Sequence, residues 1–158
     1  MPVHSSRCFV VADGGHARFL RPAADHGLHT FETLESSAVH KQTSDLVSDR
    51  MGRSFESGSP TRHGYTPRTD PHELAKEKFA HGVGHRINAL SAEGAFDDLV
   101  VVAPPHAMNE ILDALDTVTA GKIVGRLAKD LTKVPEHDLS PHLTEWVRPV
   151  HRAGPPRP

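Results

Sequence analysis

Cysteine is almost missing from this chain: Cys8 is the only one in 158 residues. A single thiol can form neither an internal disulfide nor a thiolate zinc cage, so the staples of small secreted domains are excluded and a reducing compartment is expected. Aromatic side chains are scarce as well, at 5%, with one tryptophan and one tyrosine. Long apolar runs are lacking. The stretch Cys8–Ala12 that follows the polar N-terminus is too short for a signal-peptide core and far too short for a membrane span, so a cytoplasmic protein is expected. Neither sign of charge dominates, because 18 Lys and Arg against 20 Asp and Glu leave a net −2. That balance excludes a generally basic nucleic-acid binder and a generally acidic tail protein. Any charged binding surface has to be local. Standard catalytic patterns are missing too: there is no GxSxG elbow and no HExxH, Gly121-Lys122 lacks the rest of a Walker loop, and Gly82-Val83-Gly84 has no third glycine. No catalytic residue, metal or cofactor is assigned from the sequence.

Leu, Ile, Val and Phe together number 36, but only four of them fall within residues 36–70 and one within 148–158. The remaining chain is therefore rich enough in apolar residues for an ordinary core. A single domain over residues 1–147 is expected, with a long polar loop at 36–70 and a disordered Pro-rich tail at 148–158. The 13 histidines are scattered from His4 to His151. They read as surface composition that makes net charge rise as pH falls toward 5.

Residues Cys8–Asp13 and Ala17–Arg21 read as strands joined by the tight-turn chemistry of Asp13-Gly14-Gly15. Leu28, Phe31 and Leu34 suit a third strand, with imperfect period two. After the long loop, Asp70 reads as an N-cap, Pro71 as the first helical residue and Glu73 as the third position of a capping box. Leu74, Phe79, Val83, Ile87 and Leu90 form the expected buried stripe, and Gly94 the stop. Gly82 and Gly84 suggest close backbone packing. Leu99–Ala103 reads as a strand buried on both faces. Met108, Ile111, Leu112 and Leu115 mark an amphipathic helix, Lys122–Leu127 another strand, and Glu136–Trp146 a third helix anchored by Leu139, Leu143 and Trp146, with Pro141 a possible kink. The order β-β-β-α-β-α-β-α predicts an α/β fold with a mixed sheet in a ribonuclease-H-like layout.

That layout raises metal-dependent nuclease chemistry, which needs converging carboxylates. Asp13 ends the first strand while Asp97 and Asp98 begin the fourth, so parallel pairing separates them by about 16 Å at 3.3 Å per residue. Asp130 falls at the same sheet end as Asp13, but Asp13 reads first as a turn residue, and a nuclease or hydrolase is the least favoured reading. Glu77, His81 and His85 share one helix face with spacing that suits zinc; a solvated polar face is the expected outcome.

The long loop is the most informative stretch. Between residues 50 and 68, Arg50, Arg53, Arg62 and Arg68 stand against the single acid Glu56, and Phe55 and Tyr65 lie among them. Arginine forks bind phosphates in pairs and stack on bases, and aromatic rings are stacking platforms. An ordinary polar connector has the same composition, so both readings stand.

The strings VADGGHARFL, LVSDRMGRSF, RTDPHELAKEKFA, GAFDDLVVVAPP and VGRLAKDLTKVPEHDL resemble the bacterial host attachment protein family, over about residues 7–145. The resemblance implies a fold related to the central domain of archaeal and eukaryotic release factors and Pelota-like rescue proteins. Release factors use a Gly-Gly-Gln loop; here Gly14-Gly15 is followed by His16, so peptide release by that motif is not implied. The combined expectation is a non-enzymatic module that binds RNA or the ribosome through Asp49, Arg50, Gly52, Arg53, Phe55, Arg62, His63, Tyr65 and Arg68. The alternative is a protein-binding factor that supports bacterial attachment to host cells.

Overall fold

The computed structural model describes residues 6–24, 27–37 and 70–147. Five strands form one sheet in the order β3-β2-β1-β4-β5. These are β1 (Arg7–Ala12), β2 (His16–Pro22), β3 (Leu28–Glu35), β4 (Asp98–Val102) and β5 (Ile123–Leu127). The first three pair antiparallel, whereas β4 lies parallel to both β1 and β5. This is the mixed α/β sheet of the expected ribonuclease-H-like layout. The imperfect alternation of β3 has a local cause. Phe19 pairs with Glu32 but Leu20 pairs with Thr30, so a bulge at Phe31 shifts the period by one residue.

β1 and β4 occupy the middle of the sheet and are buried on both faces. On one face Cys8, Val10, Leu99 and Val101 pack against helices α1 (Pro71–Ala92) and α2 (Pro105–Ala114). On the other, Phe9, Val11, Val100 and Val102 pack against Leu131, Leu139 and Leu143. A fully buried side chain of this size contributes roughly 1.5–3 kcal/mol, so the two apolar layers dominate over surface ion pairs.

α1 starts as expected: the Asp70 side chain accepts from the His72 N–H at 2.9 Å, and Pro71 takes the first position. Glu73 turns instead to Lys76, at 3.5 Å. The helix ends at Glu93, with Gly94 at φ +77°. The Ala95 N–H bonds back to the Leu90 carbonyl and that of Gly94 to Ser91, a pairing that requires the left-handed residue glycine supplies. The buried stripe differs from the expected one. It consists of Ala80, Val83, Gly84, Ile87, Leu90 and Ser91, while Leu74 is 46% exposed. Small residues line it because α2 comes close: a Cβ on Gly84 would lie 2.7 Å from both the Ile111 carbonyl and the Ala114 Cβ. Gly82 points into open space, so only one of the two glycines marks the close approach.

α2 begins at Pro105, three residues before Met108, and a short helix α3 (Thr117–Ala120) follows it. The sequence reading missed α3. Its cap was visible, since the Asp116 side chain accepts from the Thr119 N–H at 2.8 Å; that bond holds the Asp116 carboxyl below its ordinary pKa.

The expected helix over Glu136–Trp146 is broken. Glu136–Asp138 and Ser140–Leu143 are 3-10 turns, and only Thr144–Val147 (α4) is α-helical. Pro141 has no N–H and its ring opposes the preceding turn, so tighter turns with i to i+3 bonds replace the α ladder. The anchors nevertheless hold their places, with Leu139 and Leu143 fully buried and Trp146 packed beside them. Trp146 lies against the backbone of Gly125, where a Cβ would collide with the indole. Arginines secure this segment. Arg18 Nη2 donates to the carbonyls of Leu131, Thr132 and Val134 at 3.0, 3.1 and 2.7 Å, and Arg7 donates to the Trp146 carbonyl at 2.9 Å.

The two glycines of α1 give opposite expectations. Gly82→Ala should raise stability by about 1 kcal/mol through helix propensity, whereas Gly84→Ala should lower it by roughly 1–3 kcal/mol through overpacking. Denaturant unfolding followed by the fluorescence of Trp146 measures both, and equal effects would contradict the packing described.

Candidate functional site

Pairing of Arg7 with Asp98 and of Val11 with Val102 brings the C-terminal ends of β1 and β4 to one edge of the sheet. The end of β3 joins them, because Glu35 pairs with His16. In open α/β sheets this edge is where ligands collect. A cleft of about 500 Å³ opens there between the Asp13–His16 turn, the first turns of α1 and the start of α2. Among the described residues four carboxylates line it, from Asp13, Glu73, Glu110 and Asp130, against the ammonium of Lys76 and the imidazoles of His16 and His106.

Asp13 builds the turn. Its Oδ1 accepts from the Gly15 and His16 N–H groups at 2.8 and 2.7 Å, and its Oδ2 accepts from the Thr132 hydroxyl at 3.1 Å. Burial pushes this carboxyl up, but the hydrogen bonds from Gly15, His16 and Thr132 outweigh it and hold the pKa below the usual aspartate value. Gly14 is needed for close approach, since a Cβ there would sit 2.9 Å from Lys76 Cγ. The same Thr132 hydroxyl lies 2.6 Å from Asp130 Oδ1, which also accepts the Thr132 N–H at 3.0 Å. Asp13 and Asp130 thus share one sheet end, as expected, and a threonine stands between them. Both oxygens of Asp13 and Oδ1 of Asp130 are engaged in turn bonds, which gives these atoms a structural role. Asp97 and Asp98 lie at the opposite edge, where Asp97 accepts from the Ser6 N–H and Asp98 pairs with Arg7 at 2.7 Å.

The polar face of α1 stays partly solvated, with the Glu77 and His81 side chains 40% and 42% exposed, but it also meets α2. His81 Nε2 lies 2.7 Å from Glu110 Oε1 and 4.0 Å from Asp113, and His106 Nε2 lies 3.5 Å from Glu77. His85, the third member of the expected face, is exposed and takes no part. A signal for the partners was present in the sequence: His106 and Glu110 are spaced i, i+4 on α2, as Glu77 and His81 are on α1.

Asp49, Arg50, Gly52, Arg53, Phe55, Arg62, His63, Tyr65 and Arg68 lie outside the described residues, as does the tail. The ends of the segment that carries them are described. The Ser36 N–H donates to the Gly15 carbonyl at 2.9 Å, and Ser36 and Pro71 border one surface depression.

A family described as "protein required for attachment to host cells" matches residues 8–143. The chain belongs to this family. No curated protein matches it. Among solved structures, an archaeal translation termination factor is similar at 13% identity with a TM-score of 0.46. The match covers 79% of this family member and 30% of that factor's chain. No helix among the described residues is long and apolar enough to cross a membrane.

The turn carboxyl gives a pH-dependent expectation. Asp13 has a lowered folded pKa, so its ionised form adds stability that is complete above the unfolded value near 3.8 and is lost as pH falls through the folded value. Asp13→Asn keeps an acceptor oxygen but removes the charge, and should cost on the order of 1 kcal/mol at pH 7. The difference between the two proteins should close below pH 4 in urea unfolding series; a gap independent of pH would remove the role given to the charge.

Proposed function

We propose that this host attachment family member is a non-enzymatic, cytoplasmic module that binds single-stranded RNA, ribosomal RNA included, through residues 49–68. One observation carries the reading: between residues 50 and 68 four arginines stand against one glutamate, interleaved with Phe55 and Tyr65. In this reading Arg50, Arg53, Arg62 and Arg68 neutralise phosphates, Phe55 and Tyr65 stack on bases, and Gly52 lets the backbone adapt. Asp49 and His63 frame the cluster. The family's description suggests a second reading, a protein-binding factor that supports attachment to host cells.

Binding of a fluorescent oligouridine at a series of salt concentrations separates the two. Four phosphate contacts on a single strand predict a log–log slope of roughly −3, and Arg50→Ala/Arg53→Ala should reduce both affinity and slope. Unchanged affinity in that double variant would falsify the RNA reading. Absence of binding together with a protease-accessible fraction on intact cells would favour the attachment factor.

A further inference from the structure

We infer that Glu77, His106 and Glu110 form a binding site for a divalent transition metal of the zinc type, at the wall of the cleft where α1 meets α2. The inference is independent of the RNA reading. One ligand atom from each of these three side chains lies within 4.8 Å of the others. One imidazole nitrogen and two carboxylate oxygens suit zinc and its neighbours, which bind nitrogen and oxygen at about 2.0–2.2 Å.

The spacing within the cluster is that of co-ligands. His106 Nε2 and Glu77 Oε2 are 3.5 Å apart, longer than a hydrogen bond. Two atoms bound to one tetrahedral zinc stand roughly 3.3 Å apart, given bonds of that length. His81 supplies a second observation. Its Nε2 is shut off from solvent at ion-pair distance, 2.7 Å, from Glu110 Oε1. Glu110 is therefore fixed between a ligand set on one side and His81 on the other, with Asp113 behind His81. We assign His81 as the positioning residue for the Glu110 carboxylate, the role that partners of metal ligands commonly play.

The scaffold is rigid where the cluster needs it. Gly84 lets the two helices touch, and the Asn88 side chain donates to the Ala114 carbonyl at 3.0 Å while accepting from the Asp116 N–H at 3.0 Å. Both contacts set the spacing of α1 and α2 through backbone atoms. His106 and Glu110 also line the cleft, whereas Glu77 lines a second surface depression, and the His106 and Glu77 side chains are 60% and 40% exposed, so a metal held there is open to solvent. Three protein ligands and one open position are the arrangement in which zinc keeps a water or takes up a ligand.

The test is titration of Zn2+ alone into the tag-free full chain, followed by calorimetry and thermal unfolding. The expected result is one tight equivalent, with Tm raised by about 5 °C or more at hundredfold excess over Kd. Glu110→Gln and His106→Gln should each weaken that equivalent at least about tenfold, and His81→Gln should weaken it without abolishing it, as loss of an outer partner does. His85→Gln should leave it unchanged. The His106 side chain is 60% exposed, so its variant folds and remains informative if Glu110→Gln does not. Co2+ in place of zinc should give a visible absorption band that His106→Gln removes. Absence of a tight equivalent would overturn the proposal, and so would one that survives both His106→Gln and Glu110→Gln, because the scattered surface histidines would then be the ligands.

Discussion

Burial of β1 and β4 on both faces is the constraint from which the other features follow. Two adjacent parallel strands of almost wholly apolar sequence have no side that tolerates water, so the chain must supply two separate covers. α1 and α2 provide one, α2 as an amphipathic helix and α1 through a narrow buried stripe that includes Ala80 and Gly84. The other comes from a short C-terminal segment that a proline keeps from becoming a continuous helix. Such a segment cannot satisfy its own backbone carbonyls. Arg18 on β2 and Arg7 on β1 do so from the sheet, and the Glu136 carboxylate returns the favour by accepting the N–H of Thr30 on the edge strand at 3.0 Å. Gly125 completes the fit by leaving room for Trp146.

The same parallel pairing decides where function can sit. It sends Asp97 and Asp98 to one edge and gathers Asp13, Asp130, the first turns of α1 and the start of α2 at the other. The net charge of −2 conceals an uneven distribution: among the described residues carboxylates line the cleft and the facing helices, while in the sequence four arginines fall within residues 50–68.

Much of this was legible in the sequence because it depended on local pattern. The Leu99–Ala103 run, the Asp70-Pro71 start, the Gly94 stop and the Asp13 turn all report on backbone or burial requirements that a few neighbouring residues express. Leu139, Leu143 and Trp146 were legible as anchors even though the helix supposed to carry them was not formed, since burial of those side chains survives a change from α to 3-10 geometry. What failed was whatever depended on a partner distant in sequence. Leu74 has the right spacing for the stripe, but the neighbour across from it is solvent. Ala80 and Gly84 hold the stripe instead because α2 approaches too closely for larger residues. Glu77 and His81 read as solvated and remain 40% and 42% exposed, but their partners His106 and Glu110 are met only once the two helices pack. Arg18 carried no local signal at all, as its three carbonyl acceptors lie more than a hundred residues away.

The RNA-binding reading of this family member rests on the unusual composition of residues 49–68. Ultraviolet crosslinking in cells, followed by sequencing of the recovered RNA and mapping of the crosslinked peptide, tests it most directly. The account predicts RNA attached within residues 49–68, with Phe55 or Tyr65 as the crosslinked side chain. Recovery of no RNA, or of RNA attached only elsewhere on the chain, would contradict it.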